Sequence, residues 1–231
     1  GTDAIKLSLK ALGIGHGDEV ITTANTFVAT VGAIAELGAK PVFVDCNDTF
    51  CMDVDLLEAA ITENTKAIVP VHFTGYMTDM RKLLPIAEKY NLPVVEDACH
   101  AILGTYKNKF AGKFGDFGCF SMHPLKNLNI WGDGGFVVIK KKSDYKKMLL
   151  LRNHGLINRD KNLIFGYNSR LDTIQAIVAL DSLKKIQNIT NTRIANSLYL
   201  DRKLKNFKNI YLIKKKKYLK EVFHLYEIRI K

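Results

Sequence analysis

Between Glu19 and Asp97 the chain alternates between two hydrophobic patterns. Short β-branched runs at Glu19 to Thr23, Pro41 to Asp45, Ala67 to His72 and Pro93 to Asp97 read as strands. Between them, Phe27 to Leu37, Val54 to Thr62 and Met80 to Tyr90 place apolar residues at helical spacing, and Gly38 stops the first of these. This alternation predicts a parallel sheet with helices on both faces. Such sheets bind ligands beyond the carboxyl ends of their strands, so chemistry is sought in the loops that follow them.

After Asp97 the pattern changes. Thr105 to Lys109, Cys119 to Met122 and Phe136 to Ile139 read as strands joined by Gly-rich turns, and Ser143 to Arg152 reads as a helix. A long amphipathic helix or a broken pair is expected from about Leu171 to Leu204, with its apolar stripe from Ile174 to Leu183 packed in the core. Two strands, Ile210 to Ile213 and Glu221 to Ile228, then follow, joined by a polar hairpin loop at Lys214 to Lys217. The shift suggests a large domain over residues 1–175 and the beginning of a small α+β domain over 176–231. Both ends read as cut: the chain opens at Gly1-Thr2 without an initiator Met and stops at Lys231 just after a strand-like run. A fragment of a longer protein is expected.

The 231 residues are 47% hydrophobic, enough for a sizeable core. The formal charge of +11 comes mostly from Lys and reads as a solvated surface, because no aromatic residues interleave with the Lys214–Lys217 cluster as stacking platforms. Nucleic acid is not expected as a partner. No apolar run reaches the roughly 18 residues that mark a spanning helix, and no signal peptide opens the chain, so no membrane association is expected. The four cysteines, Cys46, Cys51, Cys99 and Cys119, show no metal-type spacing and fit buried reduced thiols of a cytoplasmic protein. His72, His123 and His154 read as structural or rim histidines, so no metal is expected.

Four features carry candidate chemistry. Gly1-Thr2-Asp3-Ala4 leads into a helical run, where free N–H groups hold a phosphate well, although any capped helix looks the same. Asp97 closes the run Val94-Val95-Glu96-Asp97 and is placed either to pair with a pyridine nitrogen, as a pyridoxal ring requires, or simply to cap a loop. Lys126, in Ser121-Met122-His123-Pro124-Leu125-Lys126-Asn127, follows a strand directly, an unusual place for a solubilising charge; a Schiff-base lysine must shed its proton, which partial burial favours. Ser121 can donate to a phosphate, and Gly132-Asp133-Gly134-Gly135 reads as a tight structural turn. Phe165-Gly166-Tyr167-Asn168-Ser169-Arg170, before the long helix, reads alone as a turn and cap.

Taken together with Thr26-Phe27-Val28-Ala29-Thr30, Glu96-Asp97-Ala98-Cys99-His100 and Leu151-Arg152-Asn153-His154-Gly155, these segments resemble, in order and spacing, the DegT/DnrJ/EryC1/StrS sugar aminotransferases. The resemblance covers the whole chain. It implies the aspartate-aminotransferase-like fold type I of pyridoxal-phosphate (PLP) enzymes, with a mostly parallel central sheet and helices on both faces. It also implies a homodimer that moves an amino group, usually from glutamate, to a nucleotide-linked keto sugar in surface-polysaccharide or glycoside biosynthesis.

By resemblance, Lys126 is the Schiff-base lysine and later moves the proton, and Asp97 pairs with the pyridine nitrogen. Thr2, Asp3 (through its backbone) and Ser121 hold the phosphate. Phe27 lies over the ring, His100 sits near the ring hydroxyl, and Asn168 reaches the partner subunit's cofactor phosphate. Met122 departs from the more usual aromatic in the Ser-Phe-His-Pro run. The family's N-terminal residues and most of its small C-terminal domain, which help bind the sugar nucleotide, have no counterpart in this chain. The alternatives are a PLP-dependent sugar dehydratase, in which His replaces the lysine, and a non-catalytic regulatory relative of the same fold. Lys126 counts against the first, and Lys126 with Asp97 against the second.

Overall fold

The computed structural model describes residues 1–231. The chain begins with α1 (Thr2–Ala11), then β1 (Glu19–Thr23), α2 (Val28–Ala35), β2 (Lys40–Val44), β3 (Thr65–Val69), α3 (Met80–Lys89) and β4 (Val95–Asp97). Two short strands, β5 (Thr105–Tyr106) and β6 (Lys109–Phe110), follow, then β7 (Phe117–Ser121), β8 (Gly135–Ile139) and α4 (Lys142–Leu151). One unbroken helix, α5 (Thr173–Leu204), leads to β9 (Ile210–Leu212), β10 (Leu219–Lys220) and β11 (Ile228–Ile230).

Strands β2, β1 and β3 pair in parallel, as do β4 and β7, while β8 runs antiparallel on the edge of β7. Parallel bridges Ile68↔Val94 and Val71↔Asp97 join β3 to β4, giving the order β2-β1-β3-β4-β7-β8. Side chains alternate across this sheet, as the two-residue period of a strand requires. Val20, Ala67, Val69, Val95 and Phe117 pack with α1, α2 and α4 on one face. Their neighbours Ile21, Ile68 and Val94 pack with Met80, Leu83 and Ala87 of α3 on the other. Helices on both faces explain why these strands read as continuous apolar runs.

Several expectations need correction. Val54 to Thr62 forms two short 3₁₀ turns, Val54–Leu56 and Glu58–Ala60; Val54 and, between the turns, Leu57 still pack beneath the sheet. Thr105 to Lys109 is broken by a turn in which Lys107 and Asn108 both take positive φ, producing the small hairpin β5–β6. Lys214 to Lys217 is no hairpin loop, because β10 pairs with β5 whereas β9 pairs with β11. Glu221 to Glu227 is not a strand but an irregular segment that crosses the molecule. The stripe on α5 is not core: Ile174, Ile177 and Leu180 are 61%, 62% and 63% exposed. Its apolar period is real, but this fold leaves the face uncovered. No helix is long and apolar enough to cross a membrane.

Candidate active site

Asp97 ends β4, with a parallel partner on each side, and is 5% exposed. Its carboxylate accepts hydrogen bonds from two sources. Thr30 Oγ1, in the first turn of α2, donates to Oδ2 at 2.7 Å, and the Cys99 N–H donates to Oδ1 at 3.1 Å. Thr26 and Thr30 hydroxyls meet at 2.7 Å, so the loop after β1 is tied to the loop after β4. Each carboxylate oxygen accepts two or more donors, and these two bonds leave lone pairs unused. Phe27 stands 65% exposed immediately before this helix.

The start of α1 packs on the end of β7. A Cβ on Gly1 would lie 2.9 Å from the Cβ of Ser121 and 3.0 Å from Cys99 Sγ, so only glycine allows the approach. No side chain caps α1, and the first N–H groups of any helix lack intrahelical partners. Uncapped donors beside the Ser121 hydroxyl form a cradle suited to a phosphate. The Asp3 side chain is engaged elsewhere: Ser169 Oγ donates to it at 2.6 Å and Lys6 pairs with it at 3.1 Å. Only its backbone is therefore free to serve the cradle.

Lys126 lies in the loop after β7, with its N–H bonded to the His123 carbonyl at 2.8 Å. Burial pulls its amine below the ordinary lysine range, and the nearby Asp97 carboxylate only partly opposes this. Its Nζ stands 3.5 Å from Nε2 of His224, whose ring lies 4.3 Å from the His100 ring. The Thr74 N–H donates to His100 Nδ1 at 3.3 Å. Burial, then the charges of Lys126 and His224, push His100 down to about 2. The neutral ring therefore carries its proton on Nε2 and offers a hydrogen-bond donor.

Asn168 is held within its own chain: its Oδ1 accepts from Arg170 Nε at 3.1 Å, and a bridge pairs it with Asn153. Among the histidines read as structural, His72 is fully buried. Its Nδ1 accepts from the Thr78 N–H at 3.3 Å and its Nε2 meets Glu96 at 2.9 Å.

Sequence reading missed two participants. Thr30 lay inside a recognised segment, four residues after Thr26, but nothing in a helical Thr marks it as the partner of Asp97. His224 lay in an apolar run that reads as a strand; the one available signal was a lone imidazole in that run.

A partly desolvated lysine, a buried strand-end aspartate and an uncapped helix start are thus brought to one end of a mostly parallel sheet. All of residues 1–231 match the DegT/DnrJ/EryC1/StrS aminotransferase family, and the chain belongs to it. Its fold is the aspartate-aminotransferase-like fold type I. The chain is 41% identical to the pleiotropic regulatory protein of Geobacillus stearothermophilus, matching 99% of this chain and 62% of that protein. It is 48% identical over 179 residues to a UDP-N-acetyl-3-dehydro-alpha-D-glucosamine 3-aminotransferase of Acidithiobacillus ferrooxidans, covering 77% of this chain and 48% of the relative. Among solved structures, NtdA of Bacillus subtilis with bound PMP superposes with a TM-score of 0.90 at 36% identity, over 100% of this chain and 53% of NtdA. The chain thus spans roughly half to two thirds of these proteins' lengths.

Proposed function

We propose that this chain is the core of a cytoplasmic PLP-dependent sugar aminotransferase, which takes an amino group from glutamate and gives it to a nucleotide-linked keto sugar for surface-polysaccharide or glycoside biosynthesis. Pyridoxal phosphate supplies, when bound, an electron sink that stabilises a carbanion beside its nitrogen. The observation that carries the reading is the joint placement of Asp97, Lys126 and the uncapped start of α1 beside Ser121. The N–H groups of Thr2 and Asp3 and the Ser121 hydroxyl hold the phosphate. Asp97 would hold a proton on the pyridine nitrogen through its spare lone pairs. His100 would offer its Nε2 proton to the cofactor's ring oxygen, and exposed Phe27 would supply an aromatic face for the ring. Lys126, partly desolvated, loses its proton readily enough to attack a carbonyl and then to carry a proton at Nζ. The Acidithiobacillus relative, whose name specifies a UDP-linked keto sugar, supports the substrate class.

The division into a large domain over 1–175 and a small domain starting at 176 belongs to the same proposal; α5 runs unbroken across that point. So does the homodimer, with Asn168 reaching the neighbouring phosphate. Its support is an apolar face that calls for a cover: Ile174, Ile177, Leu180 and Leu183 on α5, with Phe165 at 96% and Trp131 at 78% exposure.

The regulatory relative from Geobacillus favours a second reading, a non-catalytic protein on the same scaffold. One experiment separates them. The full-length protein is incubated with PLP, reduced with borohydride, digested and mapped by mass spectrometry. The aminotransferase reading expects the cofactor fixed on the Lys126 peptide, and Lys126→Ala to abolish both adduct and transamination. An adduct on a different lysine, or near wild-type turnover in Lys126→Ala, refutes it.

A further inference from the structure

His224 reaches Lys126 from a stretch that no recognised segment contains. Residues 219–225 cross the ends of the loops after β3 and β7, pinned at several points. The Val222 N–H donates to the Gly75 carbonyl and the Leu225 N–H to the Thr74 carbonyl, both at 3.3 Å. Asn127 Nδ2 donates to the Val222 carbonyl at 3.0 Å, and the Arg193 guanidinium from α5 donates to the carbonyls of Phe223 and His224, each at 3.1 Å. Between these anchors Phe223 is held at φ 48°, a left-handed conformation that a bulky residue keeps only when its surroundings over-determine it. Gly75 permits the close crossing: a Cβ there would lie 2.9 Å from Val222 Cγ2.

The product of this anchoring is the position of one imidazole. His224 Nδ1 is buried and has no partner, while Nε2 points at Lys126 Nζ from 3.5 Å, the long end of hydrogen-bond range. The lysine's flexible four-carbon stem can close that gap by rotation, whereas the histidine backbone cannot move. An imidazole that leaves one nitrogen orphaned in the interior is not explained by packing alone.

We propose that His224 is the positioning partner of Lys126: its Nε2 accepts a hydrogen bond from Nζ and fixes where the amine points whenever that amine is free. The inference rests on the reading of Lys126 as the cofactor lysine and deepens it. His224 is faced by Lys126, Arg193, His123 and His100, and Lys126 by Cys99, Asp97 and His224 itself. Burial and then the charges of Lys126, Arg193 and His123 hold His224 down at about 4, so at neutral pH it remains an uncharged acceptor. A neutral ring facing an amine avoids the like-charge repulsion that a second lysine would bring.

The test uses cofactor-free full-length protein. Competitive acetylation of Lys126 across pH, read by peptide mass spectrometry, reports the proton affinity of its amine. His224→Phe keeps the ring's bulk and removes its nitrogens, so a poorly hydrated ammonium loses an acceptor and its proton affinity should fall about tenfold. His224→Gln, which restores an acceptor, should recover most of that loss. An unchanged proton affinity in a natively folded His224→Phe overturns the proposal. Should His224→Phe not fold, ¹³C-histidine NMR of wild type against Lys126→Met decides. Removing the cation should raise the His224 titration above about 4, and an identical titration in both proteins overturns the proposal. Neither readout involves the cofactor, so either can fail while borohydride mapping succeeds, and the reverse.

Discussion

Replacing Asp97 with Asn separates folding from chemistry at this site. The structure shows how an amide fits without repacking. Oδ1 keeps the N–H of Cys99 as donor, and the amide nitrogen takes the place of Oδ2 opposite Thr30. The Thr30 hydroxyl accepts as readily as it donates, so it turns and receives the new N–H. Thr26, 2.7 Å from Thr30, is itself a hydroxyl and accommodates the reversal. Folding should therefore change little. What the amide lacks is the negative charge that retains a proton on the pyridine nitrogen. Removing one partner of a buried charge pair costs about 3–5 kcal/mol. At about 1.4 kcal/mol per factor of ten, turnover should drop by roughly two to four orders of magnitude. The assay is single-turnover transamination on full-length protein, with circular dichroism and cofactor absorbance as controls. Normal fold and bound cofactor with near-normal turnover would refute the role given to Asp97. A variant that folds but captures no cofactor would also refute it, moving Asp97 from chemistry to binding.

Two further outcomes follow from charge and exposure. Leu180→Glu places a carboxylate on the apolar α5 face without disturbing a contact inside this chain; it should shift full-length protein from dimer to monomer by light scattering, and an unchanged dimer would place the interface elsewhere. Glu221 lies in the anchored crossing segment, and burial raises it from an ordinary 4.5 to about 7. An acid with a raised folded value is destabilising once ionised: stability should decline as pH rises from about 4.5 through 7, by on the order of 3 kcal/mol at most. Glu221→Gln should flatten that decline in urea unfolding measured between pH 5 and 8, and an unaltered slope would show that Glu221 is not responsible.

The sheet and most of its helices were legible because their cause is local. Val20 and Ile21, or Val94 and Val95, belong to opposite faces by strand geometry alone, and helices on both faces make both positions apolar. The places of Asp97 and Lys126 were legible because the pattern reveals both strands, the one that Asp97 ends and the one whose following loop holds Lys126. The failures share a different cause. Val222 to Leu225 is apolar and strand-like, yet its path is dictated by Gly75, Asn127 and Arg193, which lie far away in sequence. No periodicity reports a bond from Asn127 to Val222. The α5 stripe failed the other way: a correct helical period indicates that a face is apolar but not whether this chain covers it.

Glu96 and Asp97 show most sharply what sequence leaves undecided. They are adjacent acids on one short buried strand, and nothing in their order along it tells them apart. The count of donors separates them. Glu96 Oε1 accepts the N–H groups of Phe114 and Gly115 at 2.6 and 2.7 Å, and Oε2 accepts Gly112 N–H and His72 Nε2, both at 2.9 Å. Four donors saturate it, and it has nothing left for a ligand. Although burial alone would push Glu96 up, His72 and the glycine N–H groups carry it below the ordinary carboxylate range. Its stabilising contribution is therefore complete above the ordinary value near 4.5 and lost as pH falls through the lowered folded one. Glu96→Gln should act on stability. Whichever oxygen becomes NH₂, it faces two donors. At Oε1 both are backbone N–H groups. At Oε2 the imidazole can reverse to accept, but it then abandons the Thr78 N–H that its Nδ1 now serves. Two orphaned donors at about 1–3 kcal/mol each predict a loss of about 2–6 kcal/mol. Urea unfolding of full-length Glu96→Gln should show that loss at pH 7, and a smaller gap from wild type at pH 4. Equal stability at pH 7 would mean that Glu96 does not anchor the loop into β7, and counting donors would no longer distinguish the structural carboxylate from the functional one.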